Sequence, residues 1–281
     1  MNPEGGPPDS ASTAQHRAAL ARRRADQELK AAARQERLAE RTGLELYARL
    51  ARLHHSSAAC HRTAAELQDA YARQLASWEG GQGAQPHFMT GVAEVCGTRS
   101  AALSLIGLDQ RQLAVAASDD QAWAAQELEF VLGEGPAREA AVHRRPVSAS
   151  GTLLDERWPG YGSGLAELGI DEVVAVPLSL GDNCVGSLAL FDPRPGSGDP
   201  VFTEVADALT RTVVLGPEAD AGLYGNADLR VVVHQASGMV SVQADITIDN
   251  ALELIKARAF SEGRAVHDVA MLIVRGELRL G

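Results

Sequence analysis

The sequence predicts an α+β domain, an antiparallel sheet with flanking helices, set between a long N-terminal helical segment and an all-α C-terminal bundle of three helices. Three observations predict it: a heptad spacing over residues 46–78, two β-hairpin patterns within residues 101–117 and 173–191, and three successive helical patterns after residue 227. We therefore divide the 281 residues into a disordered tail (1–13), a helical coiled-coil segment (14–79), the sheet domain (85–216), a linker (217–226) and the bundle (227–281).

The coiled-coil prediction rests on residues that step by alternating fours and threes. They are Leu46, Leu50, Leu53, Ser57, Cys60, Ala64, Leu67, Tyr71, Gln74 and Trp78. Such a seam predicts a parallel homodimer. Residues 14–41 are rich in Ala, Arg, Gln and Glu with weak apolar periodicity, which indicates a solvated helix. We interpret His54, His55 and His61 as polar flanks of the coil, because no carboxylate or Cys completes a metal ligand set.

The sheet domain alternates strand and helix signals. Strands are predicted at 101–106, 113–117, 145–148, 173–180 and 184–191, and the sharp turn Gly181-Asp-Asn joins the last two. Short helices are predicted at 88–95, 137–142 and 161–168, and a closing amphipathic helix at 199–215; residues 126–131 lead into the Leu132-Gly-Glu-Gly-Pro136 run. Pro136 suits the first turn of the helix that follows it.

The C-terminal helices are predicted at about 228–242, from Thr247 to Gly263, and from about Ala265 to Gly276. Thr247 is a suitable N-cap, and Gly263 can adopt the left-handed conformation that ends a helix. Each helix carries a single apolar stripe, so the three should pack on one another.

Two parts of the chain resemble known families. The order of elements, the hairpin VPLSLGDNCVGSLALF and the runs Gly133-Glu-Gly-Pro136 and Arg157-Trp-Pro-Gly160 resemble a GAF domain, a small-molecule sensory module. Gln235-Ala-Ser-Gly-Met-Val240, the Ala251-Leu252 helix and Arg264 with Asp268-Val-Ala270 resemble an ANTAR domain, the RNA-binding module of bacterial antiterminators. Many members have Lys where this chain has Ser237. The pair, in this order, resembles actinobacterial transcription antitermination regulators.

The resemblance implies RNA contacts at Gln235, Ser237, Gly238, Arg258 and Arg264. The bundle has six basic and seven acidic residues from position 221 onward, whereas non-specific nucleic-acid binding needs excess positive charge. Two interpretations stay open. Either the bundle binds a structured RNA hairpin through a few polar contacts, or the protein is a regulator that acts through protein contacts and dimerisation alone.

The GAF resemblance implies a small-molecule ligand, and Arg138, Trp158 and Tyr161 are candidates to line its pocket. The Gly133-Glu-Gly-Pro136 run lacks a phosphate-loop pattern, and we interpret it first as a turn before a helix. Gly162-Ser-Gly164 is no nucleophile elbow, so we expect no enzymatic activity and no catalytic residue. We also expect no cofactor and no metal.

The remaining expectations come from composition. Net charge is −11, most of it in the middle of the chain, so no broadly basic surface is predicted and we expect no DNA partner. No apolar run is long enough to span a membrane. Three separated cysteines, Cys60, Cys96 and Cys184, with no signal peptide, indicate a reducing compartment and a cytoplasmic location.

Overall fold

The computed structural model describes residues 10–78, 85–107, 111–194, 199–214 and 230–280. The predicted tail as far as residue 9, the Gly-rich sequence at 79–84 and the predicted linker 217–226 lie outside these ranges. Ser10 caps the first helix by accepting a hydrogen bond from the Thr13 amide, so the helix begins at Ala11 rather than at residue 14. No helix of the described ranges combines the length and apolarity that crossing a bilayer requires.

The N-terminal segment is an antiparallel hairpin of helices α1 (Ala11–Thr42) and α2 (Glu45–Trp78). Gly43, in the left-handed conformation, ends α1 and lets the chain reverse. Hydrogen bonds join the two helices, between His54 and Glu28 at 2.6 Å and between His55 and Glu36 at 2.8 Å. Two of the three predicted polar flanks, His54 and His55, are thus partners of carboxylates on α1.

The packing of this hairpin corrects the prediction of a solvated first helix. Six alanines of α1 are buried along one face, at Ala11, Ala14, Ala18, Ala21, Ala25 and Ala32. Their spacing of mostly threes and fours is the helical apolar period, built from methyl groups alone. The predicted seam of α2 is buried only in its second half, where Cys60, Ala64, Leu67 and Tyr71 lie. Leu46 and Leu53 are exposed.

The middle domain is a five-stranded antiparallel sheet in the order β2-β1-β5-β4-β3. The strands are β1 (Thr98–Ile106), β2 (Gln112–Ala117), β3 (Val147–Ser150), β4 (Glu172–Leu180) and β5 (Asn183–Pro193). All five predicted strands are confirmed within a few residues at each end. Both predicted hairpins pair as neighbours, β1 with β2 and β4 with β5.

Helices cover both faces of the sheet. They are α3 (Phe88–Cys96), α4 (Asp120–Leu132), α5 (Pro136–His143), α6 (Thr152–Arg157), α7 (Pro159–Glu167) and α8 (Asp199–Ala208), which continues as a π-helical turn over Leu209–Val214. One core joins the sheet to α2, α3 and α8, and a second joins it to α4, α5, α6 and α7. The predicted α+β architecture is confirmed for this domain.

The C-terminal helices are α9 (Val231–Ala244), α10 (Ile248–Glu262) and α11 (Val266–Val274). Thr247 accepts a hydrogen bond from the Asn250 amide, and Gly263 ends α10 with a left-handed backbone, as predicted. Phe130 of α4 belongs to the same apolar cluster as Val233, Ile255 and Val269. The bundle therefore packs on the middle domain through α4.

Candidate functional site

A cavity of about 330 Å³ lies where the sheet, α4, α5 and the C-terminal bundle meet. Its walls come from β1, β2 and β5 on one side and from α9 and α10 on the other. The volume is at the small end of the range found for ligand pockets in proteins. Apolar residues form part of the lining: Ile106, Phe130, Ala137, Ala141 and Leu252.

Two serines from neighbouring strands provide polar groups on the sheet side of the cavity. Ser104 of β1 and Ser187 of β5 are a cross-strand pair, and both are buried. The Ser104 hydroxyl donates to Gln126 Oε1 and accepts from Gln112 Nε2 at 3.1 Å. Within the described ranges, the buried Ser187 hydroxyl has no hydrogen-bond partner. An unsatisfied buried hydroxyl is costly, so a bound ligand atom would satisfy it.

A buried carboxylate, Glu129 of α4, also lines the cavity. It accepts a hydrogen bond of 2.7 Å from the Arg138 amide in the first turn of α5. Gly135 is required beside it, because a Cβ there would lie 2.6 Å from the Glu129 carboxyl carbon. Desolvation raises the pKa of Glu129 to about 7, although hydrogen bonds from the Arg138 amide and from Gln126 lower it.

The two sequence runs singled out for the sheet domain are joined by hydrogen bonds. Glu134 accepts from the Gly160 amide at 3.1 Å. Glu139 of α5 accepts from Arg157 Nε at 3.0 Å and from Trp158 Nε1 at 3.1 Å. The side-chain hydrogen bond from Arg157 is the main reason that the pKa of Glu139 lies below its usual value. These contacts fix the α4–α5 connection, which forms one edge of the cavity.

The bundle contributes polar and charged side chains to the same cavity, from His234 on α9 and from Asp249, Glu253 and Lys256 on α10. Lys256 is only 8% exposed, and its ammonium lies 3.0 Å from Glu253 and 4.7 Å from the Phe130 ring centre. Arg111 of the sheet domain pairs with Asp249 at 2.5 Å across the junction.

Arg230, directly before α9, is fully buried at this junction. It forms an ion pair with Glu127 of α4, donates to Gln112 Oε1 at 3.1 Å and lies 4.3 Å from the Phe130 ring centre. His234 Nε2 lies 3.2 Å from the Gln112 carbonyl oxygen. A buried cation with this set of partners holds the bundle against α4 and β2.

Of the three ligand candidates from the sequence, only Arg138 lines the cavity. Trp158 and Tyr161 pack edge to face with each other in the core between the sheet and α4–α7. Trp158 donates a hydrogen bond to Glu139, and Tyr161 is fully buried, so neither side chain reaches this cavity. Burial, and secondarily the nearby Glu129, raises the pKa of Tyr161.

The RNA candidates lie on α9, on α10 and just after α10. Gln235 is exposed on α9, and a Cβ at Gly238 would meet nothing within 4 Å. Arg258 and Arg264 are brought together by Glu262, which lies 2.5 Å from the first and 3.8 Å from the second. Ser237 is fully buried and donates to the Val233 carbonyl at 2.7 Å. A contact between RNA and the Ser237 side chain would require that side chain to become exposed, and the contact stays a prediction.

Sequence reasoning missed Ser104, Ser187, Glu129, Lys256 and Arg230. A partial signal existed for three of them. Ser104 and Ser187 interrupt otherwise apolar strands, and Glu129 stands beside Phe130 at the apolar end of α4. Polar residues at core positions usually have a specific partner or function. The contacts of Arg230 with Glu127 and Gln112, and of Lys256 with Phe130, each join residues more than a hundred positions apart, so the local pattern carried no signal of them.

The comparison with known families agrees with this geometry. Residues 86–214 match the GAF domain family, so the sheet with α3–α8 is a GAF domain. No curated protein and no solved structure matches the chain.

Proposed function

We propose that this protein is a signal-responsive regulator in which a small molecule bound in the GAF cavity controls RNA binding by the C-terminal bundle. The cavity carries the proposal, because its lining includes a buried serine hydroxyl without a partner and residues of both the GAF domain and the bundle. A ligand there contacts the sensory and the output parts of the chain at once.

The RNA output rests on the resemblance of the bundle to an ANTAR domain and on two exposed arginines. A guanidinium stacks on splayed bases and pairs with phosphate, which suits a structured RNA loop. Arg258 and Arg264 lie on either side of Glu262. We propose that an RNA hairpin competes with this carboxylate for both arginines, and that binding promotes transcription antitermination.

The test is crosslinking in cells, recovery of the bound RNA and gel-shift titration with the purified chain. Arg264→Ala should weaken binding roughly 5- to 150-fold, the loss of one charged contact. Arg62→Ala, an exposed arginine on α2, serves as the control and should bind as the unmodified protein does. If no RNA is enriched, RNA binding is refuted. If RNA is enriched but both variants bind it equally well, Arg264 is not an RNA contact and the proposed binding surface is refuted.

Exposed apolar side chains favour a second candidate function, protein–protein regulation through the bundle. Val242 is 85% exposed and Phe260 67% exposed, and Val231 and Leu254 are also exposed. Gly238 lies between Val231 and Val242 on the outer side of α9, where a partner helix could approach closely. This function takes the place of RNA binding if Phe260→Ser abolishes regulation in cells in which no RNA is crosslinked.

We also propose a homodimer formed at the tip of the N-terminal hairpin. Leu46 and Leu53 are exposed there, whereas the second half of the predicted seam is already buried by other residues of the same chain. Leu50→Glu with Leu53→Glu would place charges in such an interface, which is costly without partners. Analytical ultracentrifugation should show a monomer for the double variant. An unchanged dimer would mean that the interface lies elsewhere.

A further inference from the structure

The cavity described above carries an inference about the ligand itself, which rests on the proposed sensing function. Its cationic side chains come from both sides of the junction: Arg138 from the GAF domain and Lys256 from the bundle. Within the described residues, the Arg138 guanidinium makes no ion pair. Lys256 is largely buried, whereas its partner Glu253 is 66% exposed at the side chain. Its charge is therefore only partly neutralised inside the cavity.

The acidic groups at the cavity are otherwise engaged. Asp249 is mostly exposed and is paired with Arg111. Glu129 is held by the backbone amide of Arg138, and its desolvated position favours the neutral form. Glu253 also lines the cavity and pairs with Lys256, and the charge of Arg138 acts on Glu129. The groups left to meet a ligand are the exposed Arg138, Lys256 with its mostly exposed partner, and the Ser187 hydroxyl, which has no hydrogen-bond partner among the described residues.

We propose that the cavity binds a small organic anion whose carboxylate or phosphate lies between Arg138 and Lys256, with a hydrogen-bonding group directed to Ser187. The cavity volume of about 330 Å³ limits the ligand to a compact molecule. Phe130 and Leu252 provide an apolar wall for its body. Because one cation belongs to each domain, such an anion binds best when the bundle is docked, and by reciprocity it stabilises the docked state.

The inference can be tested without knowing the ligand, by measuring the electrostatic preference of the cavity. Ala141 lines the cavity and is 2% exposed. Ala141→Cys, combined with Cys184→Ser, leaves the buried Cys60 and Cys96 as the other thiols. The full chain is treated with two methanethiosulfonate reagents of similar size, one carrying a sulfonate and the other a trimethylammonium group. Labelling rates are followed by intact mass spectrometry.

The ratio of the anionic to the cationic labelling rate at the introduced thiol should exceed the same ratio measured on a small neutral thiol by about tenfold or more. The cavity cations attract the sulfonate reagent and repel the trimethylammonium reagent, so the two effects on the ratio add. Lys256→Met should reduce this preference several-fold. Arg258→Met, on the same helix but outside the cavity, should leave it unchanged. If Ala141→Cys does not fold, Ala137→Cys on the same wall is used instead.

The outcomes separate this inference from the sensing function. Labelling with no charge preference, with a preference for the cation, or with no response to Lys256→Met overturns the anion site and leaves a pocket open to other small molecules. Failure of both reagents to reach the introduced thiol, at either position, would show that small molecules do not enter. That result overturns sensing in this cavity and the anion site together. Carboxylate and phosphate ligands are distinguished afterwards by thermal shift with benzoate and with phenyl phosphate.

Discussion

Replacing Arg230 tests whether the bundle is held on the GAF domain by a buried ion pair. Arg230→Met keeps an apolar stem of similar shape but leaves Glu127, whose side chain is 14% exposed, without its cation. Removing one partner of a buried pair costs about 3–5 kcal/mol. Within that total, the contact with Phe130 at 4.3 Å is of the desolvated cation–π kind, worth about 2 kcal/mol.

The assay is urea denaturation followed by tryptophan fluorescence, since Trp123 lies 5.7 Å from the Arg230 guanidinium carbon. We expect Arg230→Met to lower the free energy of the transition that releases the bundle by about 3 kcal/mol or more. Glu127→Gln in the same background should recover part of the loss, because the unpaired charge is gone. Arg275→Met, an exposed arginine of the bundle, is the control.

Two results would refute this reasoning. One is a loss below about 1 kcal/mol for Arg230→Met, the size expected of an exposed pair. The other is a double variant whose loss equals the sum of the single losses within about 0.5 kcal/mol, since residues in direct contact should couple.

Two further predictions concern stability. In Gly91→Ala the new Cβ would lie 2.7 Å from the Tyr71 backbone nitrogen, so we expect the free energy of unfolding, measured by thermal or urea denaturation, to fall by about 1–3 kcal/mol. In Gly238→Ala the new Cβ meets nothing within 4 Å, and the higher helix propensity of alanine should raise the free energy of unfolding by up to about 1 kcal/mol. Equal effects of the two substitutions would contradict the close α2–α3 contact. The pKa of Glu129 is raised from 4.5 to about 7 in the folded protein. Between these two pH values the folded state binds more protons than the unfolded state, so the free energy of unfolding should fall as the pH rises through this window, by about 3 kcal/mol in total. Glu129→Gln should remove that fall, and unfolding curves at pH 5 and pH 7.5 that decline equally for both proteins would refute it.

Local chemistry made the elements predictable. Turn and cap residues such as Gly181, Pro136, Thr247 and Gly263 act over a few positions, so the structure shows the predicted hairpins and helix ends close to where the sequence places them. The continuous apolar runs of β1, β4 and β5, which are buried on both faces, and the apolar stripes of the bundle are also local patterns. The match of residues 86–214 to a GAF domain agrees with this part of the interpretation.

The candidate site was less predictable because it is assembled from distant segments. Ser104 faces Ser187 only through the β1–β5 pairing, and Lys256 reaches Phe130 only through docking of the bundle. The RNA contact at Ser237 was implied by the family resemblance alone. In the structure its hydroxyl bonds to the Val233 carbonyl of its own helix, which satisfies it in a buried position.

The alanine face of α1 has a consequence for how the molecule opens. An alanine loses no side-chain rotamer entropy on burial and removes little apolar area from water. Each alanine contact in the hairpin therefore has a small entropic cost and also a small hydrophobic gain. The GAF core, in contrast, contains Phe191, Phe202 and Tyr161. The lowest-energy opening of the chain should therefore be separation of α1 from α2 while the sheet remains folded. In a hydrogen-exchange experiment, the amides of α1 should then exchange through this local opening, with a low opening free energy. The amides of β1 and β5 should exchange only through global unfolding, with a higher one.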